Sequence, residues 1–247
     1  MQLAINNILV NYEILGKGKR ETIIILHGWG RNKEEWKHVA SLLSEKKRVI
    51  ILDLPGFGAT HSIDGHIRNL YDYSNFLESF INRLGIKKVT LIGHSFGGKL
   101  GISFTYKNPH KVNRLVLVDC SGFDTMPFRV KLFSSFVKWL RPLSPILPSF
   151  ARKFTFNLIA SEDYKNAGNL KEVLKNIVNA RVDKEAALIK TAAIIIWGEN
   201  DKVTRLPAAN KLRRIIPHST LRIIWGAGHS PHLEKPDLFV RVLEDYL

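Results

Sequence analysis

Short apolar runs alternate with longer mixed segments along the first half of the chain. Each run is predominantly apolar at successive positions and is flanked by Gly, Pro or Asp. A run that is apolar on both faces is typical of a buried parallel strand. The predicted strands are Ile23–Leu26, Val49–Leu52, Val89–Ile92 and Leu115–Val118.

The segments between these strands have helical periodicity, with apolar residues on one stripe. The predicted helices cover residues 36–43, 70–84 and 96–106, and residues 3–5 and 8–14 are predicted to form an antiparallel hairpin at one edge. Alternating strands and helices connect through right-handed crossovers. The sequence therefore predicts an α/β fold with a mostly parallel central sheet covered by helices.

This alternation stops after Cys120 and resumes near residue 188. Residues 121–187 contain no strand-like run, several prolines and many aromatic residues. We expect residues 1–120 and 188–247 to form the core and residues 121–187 to form a helical lid inserted in it. A high aromatic density favours an apolar substrate pocket. The predicted pocket residues are Phe123, Phe128, Phe133, Phe136 and Trp139.

Beyond the predicted lid the alternation closes the fold. The expected elements are strands at residues 193–197 and 221–225 and helices at residues 208–215 and 237–247.

A Gly-x-Ser-x-Gly motif, Gly93 to Gly97, lies between the predicted strand at 89–92 and the helix at 96–106. This strand–turn–helix setting raises a serine hydroxyl above the edge of a sheet. The glycine loops that bind phosphate have other spacings, which are absent here. We therefore predict that Ser95 is a nucleophile.

A serine nucleophile needs a general base, and nine histidines compete for that role. His229 follows the predicted strand at 221–225 in a glycine-rich loop, where the active sites of open sheets form. His232 is a near alternative, three residues further on. We expect the side chain of His94 to point away from the hydroxyl of Ser95 and His27 to be a buried structural group.

The base needs a carboxylate to fix its tautomer. Asp201 lies just past the strand at 193–197 and is preferred. Asp119 ends the strand at 115–118 and also faces the predicted site, so it stays open as an alternative. Glu199 is expected in a loop, and Asp53 is expected to brace its own turn.

Two backbone N–H groups must stabilise the oxyanion that forms during acyl transfer. One should belong to Phe96, the residue after the nucleophile. The other should come from the loop His27–Gly30, whose glycines allow an amide to point inward. Trp29 is the expected donor, through its backbone.

Composition adds little to this chemistry. The 247 residues include 37 Lys and Arg against 22 Asp and Glu, a formal net charge of +15. The basic residues are spread along the chain, and no nucleic-acid-binding signature accompanies them. A single cysteine, the lack of a signal-peptide pattern and apolar runs too short to cross a bilayer favour a cytoplasmic protein without membrane insertion.

Five motifs together resemble the α/β-hydrolase superfamily, in family order and over almost the whole chain. They are His27-Gly-Trp-Gly, Asp53-Leu-Pro-Gly-Phe-Gly, Gly93-His-Ser-Phe-Gly-Gly, Trp197-Gly-Glu-Asn-Asp and Gly228-His229 through Glu234-Lys-Pro236. The resemblance implies a Ser95, Asp201, His229 triad that uses neither a metal nor a cofactor.

Branches of the superfamily differ at positions near this serine. Haloalkane dehalogenases and most epoxide hydrolases carry aspartate where Ser95 stands. Hydrolases of carbon–carbon bonds usually carry asparagine before the serine and tryptophan after the histidine, where this chain has His94 and Ser230. The resemblance thus favours a carboxylesterase acting on a small-molecule ester. Carbon–carbon bond or lactone hydrolysis by the same triad remains the alternative.

The run from His27 to Gly58 is also similar to esterases that demethylate pimeloyl-carrier protein. Their lid is basic because the carrier is acidic. Here the predicted lid carries six basic residues: Arg129, Lys131, Lys138, Arg141, Arg152 and Lys153. An acidic carrier protein is therefore a minority hypothesis for the partner, and we expect no nucleic acid.

Overall fold

One eight-stranded sheet forms the centre of the protein. The computed structural model describes residues 1–16, 21–60, 67–123 and 167–247. The strands are β1 (Gln2–Ile5), β2 (Ile8–Leu15), β3 (Thr22–Leu26), β4 (Arg48–Leu52), β5 (Val89–His94), β6 (Val112–Val118), β7 (Ala193–Gly198) and β8 (Ser219–Ile224). Their order in the sheet is β1-β2-β4-β3-β5-β6-β7-β8.

The sheet is antiparallel at one edge and parallel elsewhere. β1 pairs with β2 and β2 with β4 in antiparallel register. All pairs from β4 through β8 are parallel. Asn6 and Asn7 turn the opening hairpin with φ angles of 47° and 65°, which asparagine tolerates better than most residues. The predicted hairpin and the predicted mostly parallel sheet are confirmed.

Helices cover both faces of the sheet. Within the described ranges they are α1 (Lys37–Ser44), α2 (Leu70–Arg83), α3 (Phe96–Lys107), α4 (Lys171–Asn179), α5 (Asp183–Leu188), α6 (Leu206–Ile215), α7 (Pro231–Glu234) and α8 (Pro236–Glu244), together with short 3₁₀ turns at Lys33–Trp36, Pro109–Lys111 and Gly168–Leu170. The N-terminus of α2 carries a capping box between Asn69 and Asp72. None of these helices is long and apolar enough to cross a membrane.

The period of two along each strand divides the core into two layers. In β3, Ile23 and Ile25 pack with the cluster that includes residues of α1 and α8. Ile24 and Leu26 pack on the opposite face with residues of α2, α3 and α6. Because both faces are buried, the central strands need the continuous apolar runs seen in the sequence.

The part of the predicted lid that the structure describes, residues 167–187, is helical where it is regular. α5 packs against α3 and α6, and Ala186 within it is fully buried in the larger core cluster. The predicted boundary between residues 187 and 188 therefore falls inside α5. Residues 124–166 lie outside the described residues, so the division into core and lid stays a prediction.

The strand order reverses around β3, which lies between β4 and β5. Open α/β sheets bind ligands beyond the carboxyl ends of their strands near such a reversal. Four of the five predicted catalytic and oxyanion positions fall in segments that begin at or just past the carboxyl ends of β3, β5 and β7: Trp29, Ser95, Phe96 and Asp201. The fifth, His229, follows β8.

Candidate active site

Ser95 occupies a strained turn between β5 and α3. Its φ of 50° and ψ of −109° lie in a region that side-chain-bearing residues rarely adopt. Its N–H donates to the carbonyl of Val118 at 2.9 Å, and its own carbonyl accepts from Lys99 and Ser121. These backbone bonds hold the turn in a conformation that a free chain would leave.

The turn is flanked by glycines because neighbouring backbone atoms lie where a Cβ atom would stand. A Cβ atom at Gly93 would lie 2.3 Å from the carbonyl oxygen of Gly97. A Cβ atom at Gly97 would lie 2.4 Å from the carbonyl oxygen of Leu26, in β3. Any side chain at these two positions would push α3 away from the sheet and displace Ser95 with it.

His229 and Asp201 form a hydrogen-bonded pair. His229 Nδ1 lies 2.8 Å from Asp201 Oδ2, with the histidine side chain 22% exposed and that of the aspartate fully buried. Because a carboxylate oxygen accepts, Nδ1 carries the proton and Nε2 keeps its lone pair. Burial alone would raise the pKa of Asp201, but hydrogen bonds from His229 and Thr204 lower it to about 2. Asp201 is therefore ionised at neutral pH.

Thr204, which the sequence motifs did not single out, completes the environment of Asp201. Its hydroxyl donates to Asp201 Oδ2 at 2.5 Å, and its N–H and that of Val203 donate to Oδ1. An aspartate followed two and three residues later by these amides forms an Asx turn. The Asp-x-x-Thr spacing was the available sequence signal.

Asp119, the main alternative acid, lies beside Asp201 without a hydrogen bond to His229 among the described residues. Its Oδ1 accepts from the N–H of Gly198 at 3.0 Å. Burial, and then the neighbouring Asp201 carboxylate, raise the pKa of Asp119 to about 10. Asp119 is thus a neutral acid at neutral pH and is less suited to stabilise an imidazolium than Asp201.

Glu199 and Asp53 bind backbone N–H groups of loops outside the His229–Asp201 pair. Glu199 accepts from the N–H of Gly226 at 2.8 Å on an exposed loop. Asp53 accepts from the N–H groups of Lys33 and Ala59 and bonds Asn11, so it braces the turn after β4.

Two other histidines near the site have structural contacts. His232 is 1% exposed and stacks on Trp36 at 3.9 Å between ring centroids, and burial lowers its pKa well below the usual value. His27 Nε2 accepts from the N–H of Leu54, so its Nδ1 donates to the carbonyl of Gly28. These contacts hold the rings of His232 and His27 away from Asp201, whereas the ring of His229 is bonded to it.

The loop after β3 provides the second predicted oxyanion donor. Gly28 accepts from the N–H of Arg31 at 3.2 Å, which closes a turn with Trp29 at its second position. That turn uses no N–H of Trp29. Phe96 is the first residue of α3, and the N–H groups in the first turn of a helix have no acceptor within that helix. The rings of Trp29 and Phe96 pack edge to face with 5.6 Å between their centroids, so the two residues lie side by side.

Two polar side chains, whose roles the sequence did not predict, hold the loop of His229. Glu234 accepts from the N–H of Gly228 at 2.6 Å and from that of Ser230 at 3.1 Å. His94 Nε2 lies 2.8 Å from the carbonyl oxygen of His229. Glu234 belongs to one of the five family motifs, but only the structure shows that it bonds both neighbours of His229.

Two groups of side chains have metal-ligand atoms within 4.8 Å of one another in the described ranges. The first is Asp119, Asp201 and His229, in which His229 Nδ1 is already bonded to Asp201. The second is Glu35, His94 and His232, in which the two histidine nitrogens lie 3.7 and 3.9 Å from Glu35 Oε1. Ligand atoms around tetrahedral zinc lie about 3.3 Å apart, so this group is wider than a closed zinc site.

A cavity of about 510 Å³ adjoins the turn at Trp29. It is lined by Trp29, Arg31 and Phe57 and by residues of the predicted lid, including Leu170. Phe123 is fully buried in the larger core cluster rather than among these lining residues. The remaining predicted pocket residues, Phe128, Phe133, Phe136 and Trp139, lie outside the described residues.

Comparison with known proteins agrees with this architecture. The sequence profile of the Alpha/beta hydrolase family matches residues 23–242. The chain belongs to this family.

Several relatives align over nearly their whole length. The chain is 24% identical to the uncharacterized hydrolase YugF of Bacillus subtilis (strain 168), covering 100% of this chain and 97% of that protein. It is 25% identical to a 2-hydroxy-6-oxononadienedioate/2-hydroxy-6-oxononatrienedioate hydrolase of Pseudomonas putida. That alignment covers 96% of this chain and 91% of that protein. The structure of a thermophilic esterase from Thermogutta terrifontis superposes with a TM-score of 0.73 at 20% identity, covering 100% of this chain and 97% of that chain. At this identity, the similarity to the esterase shows a shared fold and nothing further.

Proposed function

We propose that this hydrolase is a serine carboxylesterase that acts through an acyl-enzyme on small-molecule esters. The observation that carries the proposal is the 2.8 Å contact between His229 Nδ1 and Asp201 Oδ2, which leaves Nε2 of His229 as a base. The strained turn at Ser95 supports it, because such a turn exposes a hydroxyl at the end of a strand. No cofactor takes part in the proposed reaction.

In the proposed reaction, His229 Nε2 takes the proton of the Ser95 hydroxyl while its oxygen attacks the ester carbonyl. The N–H groups of Trp29 and Phe96 stabilise the negative charge on the carbonyl oxygen. His229 then protonates the leaving alcohol, and the acyl group stays on Ser95. His229 then deprotonates a water, which attacks the acyl-enzyme, and His229 returns that proton to the Ser95 oxygen as the acid is released. Asp201 stabilises the imidazolium in both halves.

Turnover of short p-nitrophenyl esters by the wild type and by Ser95→Ala tests the proposal. We expect Ser95→Ala to lower kcat by about 10³-fold or more. A fluorophosphonate should label the wild type at Ser95 and leave the variant unlabelled. Ser121→Ala, a serine after β6 near the same edge, is the matched control and should keep both labelling and turnover. Wild-type turnover in Ser95→Ala would contradict the mechanism.

Hydrolysis of a carbon–carbon bond is the second candidate, favoured by one feature of the cavity. Arg31 lines the cavity with its side chain 57% exposed; its Nε lies 3.9 Å from Glu35 Oε2, and a guanidinium has further N–H groups that pair well with a substrate carboxylate. The Pseudomonas putida relative is named for a dioate substrate. Under this proposal a 2-hydroxy-6-oxo dienedioate is turned over faster than p-nitrophenyl acetate, and Arg31→Met raises its KM about tenfold. Equal KM values in wild type and Arg31→Met would argue against it.

The acidic carrier protein is a third proposal for the partner. The basic residues on which it depends lie between 129 and 153, outside the described residues. Charge-driven docking weakens steeply with salt. A carrier-linked ester whose KM stays constant between low and high salt would contradict it.

A further inference from the structure

The histidine that precedes Ser95 packs beside His229, the base of the proposed triad. His94 is the last residue of β5 and is 2% exposed. Its ring centroid lies 4.9 Å from that of His229 and 4.7 Å from that of His232. The proposed reaction passes no proton through His94, so the buried polar ring must contribute in a different way.

One ring nitrogen of His94 holds the backbone of the proposed base. His94 Nε2 lies 2.8 Å from the carbonyl oxygen of His229. Because a carbonyl oxygen only accepts, Nε2 carries the proton and donates it. The bond is made at the residue that carries the catalytic imidazole. A shift of this carbonyl therefore moves that imidazole relative to Ser95.

The side of the His94 ring that carries its second nitrogen packs against Glu35 and the oxyanion turn. Nδ1 lies 3.7 Å from Glu35 Oε1, which is contact rather than a hydrogen bond, and it has no hydrogen-bond partner among the described residues; the glutamate side chain is 7% exposed. The same oxygen accepts from the N–H of Gly28 at 3.3 Å. Gly28 immediately precedes Trp29, the proposed oxyanion donor. A Cβ atom at Gly28 would lie 2.9 Å from His94 Nδ1, so the turn and the ring are fitted to each other.

We propose that His94 and Glu35 are positioning residues that fix the distance between the base His229 and the oxyanion turn at Trp29. They do so through backbone atoms: the carbonyl of His229 on one side and the N–H of Gly28 on the other. The inference rests on the proposed acyl-transfer function, in which both groups must meet one substrate carbonyl. A misplacement of about 1 Å in such an arrangement costs up to about 10²-fold in rate.

A pair of substitutions at one position separates hydrogen bonding from packing. His94→Gln places an amide N–H near the position of Nε2, whereas His94→Met has similar length and no donor. We expect His94→Met to lower kcat about 10- to 100-fold with KM within about twofold of wild type. We expect His94→Gln to stay within about threefold of wild type. His110→Met, at an exposed histidine, should change neither constant.

A second pair of substitutions tests Glu35, on the side of the oxyanion turn. Glu35→Gln keeps an oxygen that accepts from the N–H of Gly28, and Glu35→Met removes it. The Gln variant should again exceed the Met variant in kcat at similar KM. Thermal unfolding of all four variants identifies any that fail to fold. If one pair is lost in this way, the kcat values of the other pair test the inference.

Hydrogen–deuterium exchange supplies a readout that does not depend on turnover. In protein carrying Ser95→Ala, His94→Met should speed exchange of the peptide spanning residues 226–235, and His94→Gln should leave it near the parent rate. Equal kcat in the Gln and Met variants, or equal exchange in both, overturns the inference. If the wild type neither hydrolyses esters nor reacts with fluorophosphonate, the proposed function fails, while the exchange rates still decide whether His94 holds the loop.

Discussion

Asp119 and Asp201 lie side by side beyond β6 and β7, and the hydrogen bond to His229 belongs to Asp201. The two carboxyl groups differ in charge because their partners differ. Asp201 receives hydrogen bonds from His229 and Thr204, whereas Asp119 receives one from the N–H of Gly198. Their pKa values, about 2 for Asp201 and about 10 for Asp119, keep one ionised and the other neutral across the neutral range.

Substitution by asparagine should distinguish the two aspartates in catalysis. Asp201→Asn removes the charge and offers His229 the wrong tautomer, so we expect kcat to fall about 10³- to 10⁴-fold. Asp119→Asn replaces a neutral acid by a neutral amide and should lower kcat less than about tenfold. Steady-state hydrolysis of a p-nitrophenyl ester measures both. Comparable losses in the two variants would identify Asp119 as a second essential acid.

The same asparagine at position 119 should change how stability depends on pH. In the folded protein the pKa of Asp119 is raised to about 10, against about 3.9 in an unfolded chain. Unfolding therefore releases a proton between these values, and stability falls as pH rises through that window. From pH 5 to pH 8 the wild type should lose more free energy of unfolding than Asp119→Asn. Urea unfolding at both pH values checks this, and parallel losses would contradict it.

Two glycines of α3 should respond differently to alanine. A Cβ atom at Gly97 meets backbone, the carbonyl oxygen of Leu26, at 2.4 Å, whereas one at Gly101 meets the end of the Leu115 side chain at 3.2 Å. Gly97→Ala should lower the free energy of unfolding by about 1–3 kcal/mol or more. Gly101→Ala should change it by less than about 1 kcal/mol, because better helix propensity offsets a small side-chain shift. Urea unfolding compares the two, and a neutral Gly97→Ala would contradict the close approach of α3 to β3.

The fold was predictable because its strands are buried on both faces. Residues such as Ile23–Leu26 and Leu115–Val118 are continuous apolar runs, and a short run of this kind between turn residues favours a buried strand. Element ends were less accurate: β8 begins at Ser219, two residues before the predicted start. Ser219 and Thr220 are polar, and Thr220 is exposed, so the apolar residues that mark the strand begin only at Leu221.

The site was predictable where a motif carries a backbone constraint, and less so where side chains meet across the fold. The glycines around Ser95 signal a turn that the sequence itself displays. The bond from His94 to His229 joins the end of β5 to the loop after β8, far apart in sequence, and no local spacing encodes it. Glu234 lies close to Gly228 in sequence and within a family motif, but the motif does not show which N–H groups the carboxylate binds. His94 was expected to point away from the serine hydroxyl, and its neighbours became visible only in three dimensions.

A buried lysine should link α3 to the C-terminal part of the predicted lid. Lys99, 2% exposed, donates through Nζ to the carbonyl of Ile177 at 2.5 Å, near the C-terminus of α4. Burial lowers the pKa of Lys99, and its bond adds to the one that the same Ile177 carbonyl accepts from the N–H of Ala180 at the end of α4. Lys99→Met should lower the free energy of unfolding by about 1–3 kcal/mol. Lys88→Met, at an exposed lysine just before β5, is the control, and equal stabilities in the two variants would contradict the link.

Glu234 should fix the position of the loop that carries His229 and take no part in proton transfer. Its two carboxylate oxygens accept from the N–H groups of Gly228 and Ser230, on either side of the proposed base. Glu234→Gln keeps the size of the side chain but turns an NH₂ group toward one of these donors. We expect kcat to fall about tenfold, because the imidazole loses its fixed position, with KM changed less than about twofold.

The matched control for Glu234→Gln is Asp237→Asn, which removes an exposed negative charge three residues further on in α8 and should keep wild-type kcat. Steady-state kinetics and exchange of the peptide at residues 226–235 are measured together. If Glu234→Gln lowers kcat without speeding exchange, the effect is electrostatic and the positional explanation is wrong. If kcat falls and exchange quickens together, the carboxylate acts on the loop, because a lost charge alone leaves the backbone N–H groups protected.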